Sequence, residues 1–216
     1  MTDVTANARQ HRAEQRRFTV RKRTVFGAVT AAVAVGSIAP AGAGNFGSTG
    51  AGGSPTNEVS LGNNRWHSWS MHNGDGSWRQ GLRDAIQYSY EPTDLVTSEY
   101  RDDWNDVDVR VDVTNAGTGL NGWVYCPTDG LRAGADPNES CYRQWLKIDL
   151  ANTGGFAQDR RKSLMCHEFG HTLGLRHPTA ANHPDWLNSC MTRSADNPNR
   201  PVALHSHDID HLNWVY

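Results

Sequence analysis

The 216-residue chain lacks an uninterrupted apolar run long enough to cross a bilayer, which takes about 20 residues. It also lacks a charge excess. Lys plus Arg total 21 and Asp plus Glu 23, a net of -2, so nothing points to nucleic acid. No C-x-x-C spacing is present, which weakens a zinc site built from cysteines. No long repeat occurs, which sets aside solenoids and collagen. Cysteines are few, at four, while Trp at eight and Gly at 21 are plentiful. Those counts describe a loop-rich, compact domain with a feasible core.

The charge is unevenly spread. Residues 1–43 hold seven basic residues (Arg9, Arg12, Arg16, Arg17, Arg21, Lys22, Arg23) against Asp3 and Glu14. Subtracting them from the whole-chain totals leaves 14 basic and 21 acidic residues, a net of -7. Residues 24–39 follow the basic stretch as a short apolar run of small residues. Pro40 and Ala41-Gly42-Ala43 come next, an A-x-A cleavage pattern. The expectation is a signal peptide over 1–43, cut near Ala43, and a secreted, extracellular product with no stable membrane anchor. Arg16-Arg17 leaves general and twin-arginine export both open. Residues 44–60 are Gly/Ser-rich and read as a linker or disordered tail. Residues 61–216 then form one domain.

Export implies an oxidising compartment. Cys126, Cys141, Cys166 and Cys190 therefore read as two disulfides, with three pairings open. Along the domain, 65–71, 107–113, 121–126 and 144–150 read as strands. Residues 77–90 read as an amphipathic helix stopped by Pro92. A second helix covers 160–174, with Leu164, Met165, Phe169 and Leu173 on its apolar side. Residues 178–203 lack periodicity. A closing helix over 205–216 packs Ile209, Leu212 and Trp214 inward. The class is α+β.

The chemistry concentrates in His-Glu-Phe-Gly-His-Thr-Leu-Gly-Leu-Arg-His, residues 167–177. His167 and His171 are four apart, so both imidazoles lie on one helix face and can reach one ion. A straight helix would carry His177 about 9 Å further along its axis. The helix must end and the chain turn back, and Gly174 stands where a left-handed residue serves that turn. Glu168 points about 100° away from His167 round the helix, towards a metal-bound water rather than the metal. Five such fixed positions arise by chance on the order of once in 10,000 chains of this composition.

This segment resembles the zinc signature H-E-x-x-H-x-x-G-x-x-H of the metzincin metalloproteases. Leu173-Gly174-Leu175 after the second histidine is matrixin-like, and Pro178 after the third is serralysin-like. The chain is similar to a small secreted bacterial matrixin-like protease. No cysteine switch precedes the domain, and no Gly/Asp-rich calcium repeats follow it. The resemblance implies a fold with a twisted mixed β-sheet, an active-site helix, an irregular Met-turn subdomain and a C-terminal helix. It implies one catalytic zinc held by His167, His171 and His177, with Glu168 as general base. It implies a structural Met-turn at Met191 and, through that turn's position, a Cys166–Cys190 bridge, leaving Cys126–Cys141. Substrate would lie along an edge strand, for which 144–150 is the candidate. The pocket for the side chain after the scissile bond would draw on 188–203.

The function expected is a secreted zinc endopeptidase acting as a monomer on protein or peptide. A non-catalytic zinc-binding module on the same scaffold is the alternative, and a hydrolase of non-protein amides a third. Asp102, Asp103, Asp106 and Asp108 offer oxygen ligands for Ca2+, though a solvated acidic edge is the simpler reading. His207 and His211 share i, i+4 spacing without a third ligand, so a structural role is expected. The Trp residues at 66, 69, 78, 104, 123, 145, 186 and 214 are assigned to the core.

Overall fold

A computed structural model describes residues 61–101, 105–127, 141–178, 185–193 and 199–216. The expected signal peptide and linker, Trp104, Asp102 and Asp103 lie outside them. A five-stranded mixed sheet carries the fold: β1 (Trp66–His72), β2 (Val96–Glu99), β3 (Val109–Thr114), β4 (Gly122–Tyr125) and β5 (Gln144–Asp149). The strand order is β2-β1-β3-β5-β4. Strands β1, β2, β3 and β5 run parallel, and β4 pairs antiparallel to β5 at the edge.

Alternation decides the two faces. Val109, Val111 and Val113 of β3 and Leu146 and Ile148 of β5 point into the core beside Trp69 and Met71 of β1. The intervening residues form a polar and aromatic face. There Arg110 pairs with Trp145, Asp112 with Lys147, and Tyr125 with Trp145 across the strands. Lys147 Nζ lies 2.5 Å from Asp112 Oδ2 and 3.9 Å above the Trp145 ring.

Helices cover the apolar face. Helix α1 (Gly76–Ala85) is capped by Asp75, whose carboxylate accepts from the Ser77 and Trp78 amides. It runs on into a π-helical turn, Ile86–Tyr90. The short α2 spans Leu150–Thr153, and the long α3 spans Gln158–Thr172. A Cβ on Gly81 would stand 3.4 Å from the Arg161 backbone carbonyl carbon, so the small residue sets how closely α1 and α3 approach. Helix α4 (Ser206–Val215) closes the chain. Cys126 and Cys141 are bridged, tying the end of β4 to the approach to β5. The bridged Cys141 also donates its amide to Leu61 O.

The architecture is the α+β arrangement expected from the sequence, with differences in how the Trp residues pack. Trp66 is 43% exposed and Trp214 79% exposed, so neither belongs to the core. Asp208 and Leu212, four apart, are the buried positions of α4. Trp214 lies about 200° round the helix from Leu212, which turns it outward. Trp66 opens β1 at the end of the sheet, opposite Val96 of the short outer strand. Trp69 and Trp78 are core residues as expected; Trp123, Trp145 and Trp186 are half-buried and also lie outside the core. Among the described residues no helix is long and apolar enough to cross a membrane.

Candidate metal centre

Helix α3 changes character along its length. Gln158, Asp159 and Arg160 are exposed, whereas every residue from Ser163 to Thr172 is buried. A helix buried on all sides cannot be chosen by amphipathic pattern alone; its place is set by what packs round it. His167 and His171 lie in the buried half, their ring centroids 4.6 Å apart.

The helix ends in a Schellman motif. Leu175 N donates to Gly170 O at 3.0 Å, and Gly174 N to His171 O at 3.2 Å. Gly174 occupies the left-handed position at φ 91°. A Cβ there would also come 2.6 Å from Leu61 Cδ2, so glycine is required by both dihedral and space. The turn reverses the chain and returns His177 to the other two histidines. Tyr216 locks it from behind: its hydroxyl donates to Leu173 O at 2.9 Å and accepts from Gly62 N at 2.8 Å. Gln144 Nε2 donates to Thr172 O alongside. The last free carbonyls of α3 are thus held by side chains from distant parts of the chain.

Three imidazoles converge as a result. His167 Nε2 lies 3.0 Å from His177 Nε2 and 3.1 Å from His171 Nε2. Ligands about 2.05 Å from a tetrahedral ion stand roughly 3.3 Å apart, so the separations suit one zinc-sized ion. These three residues are the single group of three or more candidate ligands among the described residues, and they can hold a metal ion. His207 and His211 lie with ring centroids 4.2 Å apart, tilted at 48°, without joining such a group. Asp108 accepts instead from Ser68 N and Oγ, both at 2.7 Å.

The outer nitrogens are held as metal ligation requires at two of the three rings. His167 Nδ1–H donates to Cys190 O at 2.8 Å and His171 Nδ1–H to Leu175 O at 2.6 Å, which leaves each Nε2 lone pair facing the centre. His177 differs. Arg193 Nε donates to its Nδ1 at 3.1 Å, which puts the neutral ring's proton on the central Nε2. Ligation through Nε2 would place that proton on Nδ1, the atom to which Arg193 donates. Burial keeps all three rings neutral, the form that binds metal. It lowers His171 to about 4 and His177 to about 2, and puts His167 well below its usual value.

Glu168 is buried and points towards edge strand β4. A Cβ on Gly122 would stand 2.9 Å from the carboxyl carbon, Cδ, so glycine there makes room for the acid. Burial pushes the Glu168 carboxyl up to about 8, against the pull of the nearby Arg200 cation. Because β5 is paired on both sides, the edge beside α3 belongs to β4 (122–125) and not to 144–150. Parallel β5 continues the sheet interior, and its alternating Leu146 and Ile148 feed the core.

Met191 lies beneath the histidines. A Cβ on Gly170 would come 2.4 Å from Met191 Sδ, so the glycine between His167 and His171 admits the thioether. Ser189 Oγ accepts from Met191 N at 3.0 Å and donates to Asp208 of α4 at 2.6 Å. Cys166 and Cys190 are bridged, with Cα atoms 6.1 Å apart. The bridge joins the residue before His167 to the residue before Met191, and it steadies the carbonyl that orients His167. Arg200 reaches the same place, with Nη1 3.4 Å from His167 Nδ1 and 3.3 Å from Thr192 O. Burial lowers Arg200 to about 10, still a cation at neutral pH.

Arg193, Arg200, Gly122 and Tyr216 escape sequence reasoning. Both arginines sit in a stretch without periodicity, and Gly122 and Tyr216 act across distances the local sequence does not encode.

No protein-family model matches the sequence, and no curated protein does. Among solved structures the chain is similar to myroilysin. One, "Structure of myroilysin", is 18% identical with a TM-score of 0.37 and matches 52% of this chain. This chain spans 48%, about half, of that one. Another, "Crystal structure of myroilysin", is 16% identical with a TM-score of 0.47 and covers 78% of this chain and 89% of the other. The metal-site reading rests on this chain's own histidines, which fit the H-E-x-x-H-x-x-G-x-x-H pattern.

Three outcomes are expected. Replacing Cys166 and Cys190 together by Ser should cost on the order of 3 kcal/mol in denaturant unfolding, from the freed 24-residue loop. An unchanged midpoint would mean the bridge does not staple the site. The metal-free Glu168→Gln protein should be more stable than its parent at pH 8. The folded acid ionises near 8 and the unfolded acid near 4.5, so the parent loses stability as pH rises through that window. The gap should close towards pH 4.5, and a gap independent of pH would refute the buried-acid assignment. Arg193→Ala should tighten metal binding a few-fold in a chelator competition, by removing a cation that stands against the His177 ring; weaker binding would show that Arg193 supports the site.

Proposed function

We propose that the chain is a secreted zinc endopeptidase of metzincin type. The single observation that carries this reading is the convergence of three neutral imidazoles, two buried and His177 half-buried, beside a buried carboxylic acid that is not one of them. A purely structural zinc site would close its fourth position with a protein ligand and would have no use for Glu168. Zinc, when bound here, would supply a Lewis acid that polarises a peptide carbonyl and makes water a nucleophile near neutral pH.

The chain's own groups supply the rest. The Schellman turn at Gly174 fixes where His177 stands, and the Cys190 and Leu175 carbonyls fix the rings of His167 and His171. Glu168 takes the proton of the attacking water and delivers it to the leaving amine. Gly122 leaves that carboxyl room at the edge of the sheet. Strand β4 offers the edge along which an extended peptide could add by backbone hydrogen bonds. The dication would draw the Glu168 carboxyl down from about 8, towards the ionised form a base needs. The two disulfides suit an oxidising, extracellular setting, in keeping with the basic-apolar leader over 1–43.

Glu168→Ala should retain one zinc per chain while casein hydrolysis falls by at least about a thousandfold, since it removes the proton carrier. His177→Ala should lose zinc on dialysis at neutral pH. Activity surviving in Glu168→Ala would refute the general-base role. Zinc retained without activity in the parent, on casein and on mixed peptides, would favour the binding-module alternative.

A further inference from the structure

Beyond the histidines, helix α3 borders a cavity of about 300 Å³ that the proton chemistry does not use. Arg160 and Ser163 line it from the helix, and Asn199, Arg200 and Val202 from the chain that follows the Met191 turn. Arg160, Ser163 and His167 are three and four residues apart, so they form one stripe of the helix. Ser163 precedes His167 by one turn, about 6 Å along the axis. Arg200 joins the two. Its Nε donates to Ser163 Oγ at 3.1 Å while its Nη1 sits 3.4 Å from His167 Nδ1. The cavity is therefore the next compartment along the helix from the metal ligands, with a guanidinium on the wall between them.

Its lining is cationic. Arg160 and Arg200 outnumber the one acid of the lining, the exposed Asp159, while the buried Glu168 carboxyl attracts Arg200 from outside it. Both arginines are positioned in advance. The Arg160 guanidinium carbon lies 4.3 Å over the Phe156 ring, which also lines the cavity. Arg200 is held by Ser163 Oγ and Thr192 O. Ser163 Oγ in turn donates to Pro201 O at 2.9 Å, which fixes the acceptor that Arg200 uses. Guanidinium groups present planar arrays of donors that match carboxylates, and pre-ordering lowers the entropy lost on binding. A cavity of this size holds one side chain rather than a folded partner.

We propose that this cavity is a specificity subsite that takes an Asp or Glu side chain of the peptide substrate, placed next to the scissile bond and paired with Arg200 and Arg160. The assignment rests on the endopeptidase reading and narrows its substrate class to peptides with an acidic residue at that one subsite.

The test has two arms. In the first, the zinc-loaded protein digests a proteome-derived peptide library, and cleavage sites are read by mass spectrometry. Asp and Glu should be enriched about tenfold over Asn and Gln at a single position adjacent to the cut, the scale of one charge-assisted pair. The enrichment should fall to about twofold or less in Arg200→Gln and weaken in Arg160→Gln. Arg160 is exposed, so its variant also covers the case in which Arg200→Gln fails to fold. Cleavage with no acidic preference at any adjacent position would overturn the proposal and leave the endopeptidase reading intact. In the second arm, chelator-treated protein is titrated with two peptide pools of matched sequence, one carrying Glu and one carrying Gln. Tighter binding of the Glu pool, lost in Arg160→Gln, would support the acidic subsite even if no peptide were cleaved, and the endopeptidase reading would then be the one to fail. Equal binding of both pools, with no cleavage, would overturn both.

Discussion

The turn at Gly174 is the constraint on which the metal centre depends. Two histidines four apart on a helix cannot complete a metal site alone, and a third further along the same helix would be out of reach. The Schellman bonds from Gly174 and Leu175 end α3 within one residue and send the chain back. The same motif then orients a ligand, because Leu175, whose amide closes the turn, offers its carbonyl to His171. Leu61 and Tyr216 pack against this turn from far away in the sequence. The first described residue and the last residue of the chain therefore bear on the position of His177.

Holding the Nε2 lone pairs of His167 and His171 about 3.1 Å apart costs free energy, since two neutral acceptors face one another. The cost is met by burial and by fixed acceptors behind the rings. Cys190 O behind His167 is anchored by the bridge to Cys166, and the Met191 turn beyond it is bonded through Ser189 to Asp208 of α4. Arg193 and Arg200 work the other way, as cations close to a site that can hold a metal ion. Their presence makes sense if each has another task. Arg193 occupies the His177 ring nitrogen that must carry a proton once metal binds. Arg200 looks both to His167 and to the adjoining cavity.

Much of this was legible in the sequence where chemistry is local. Alternation in 107–113 and 144–150 located β3 and β5, and the 167–177 segment located the ligands and the turn at Gly174. Strand β2 was missed because Val96–Glu99 is a four-residue outer strand whose partner, β1, precedes it by 30 residues. The edge position was misassigned to 144–150 because strand order in a sheet is a long-range property. A strand rich in Leu and Ile gives no sign of how many neighbours it has. Trp66 and Trp214 were placed inside on residue type alone, while their positions at a strand start and on the outer face of α4 decide otherwise. Gly122 was unreadable for a related reason. Its small size matters only because Glu168, 46 residues later, leans against it.

The central claim is that three histidines of one helix and its returning turn hold a single zinc with a fourth position left for water. X-ray absorption at the zinc edge, on protein whose metal content has been measured, tests it most directly. The account predicts one zinc per chain with three imidazole nitrogens and one oxygen at about 2.0 Å. A His177→Ala variant should show either a lower imidazole count or no retained zinc. Well-folded protein without zinc, or a zinc closed by four protein ligands or by any sulfur, would contradict the account.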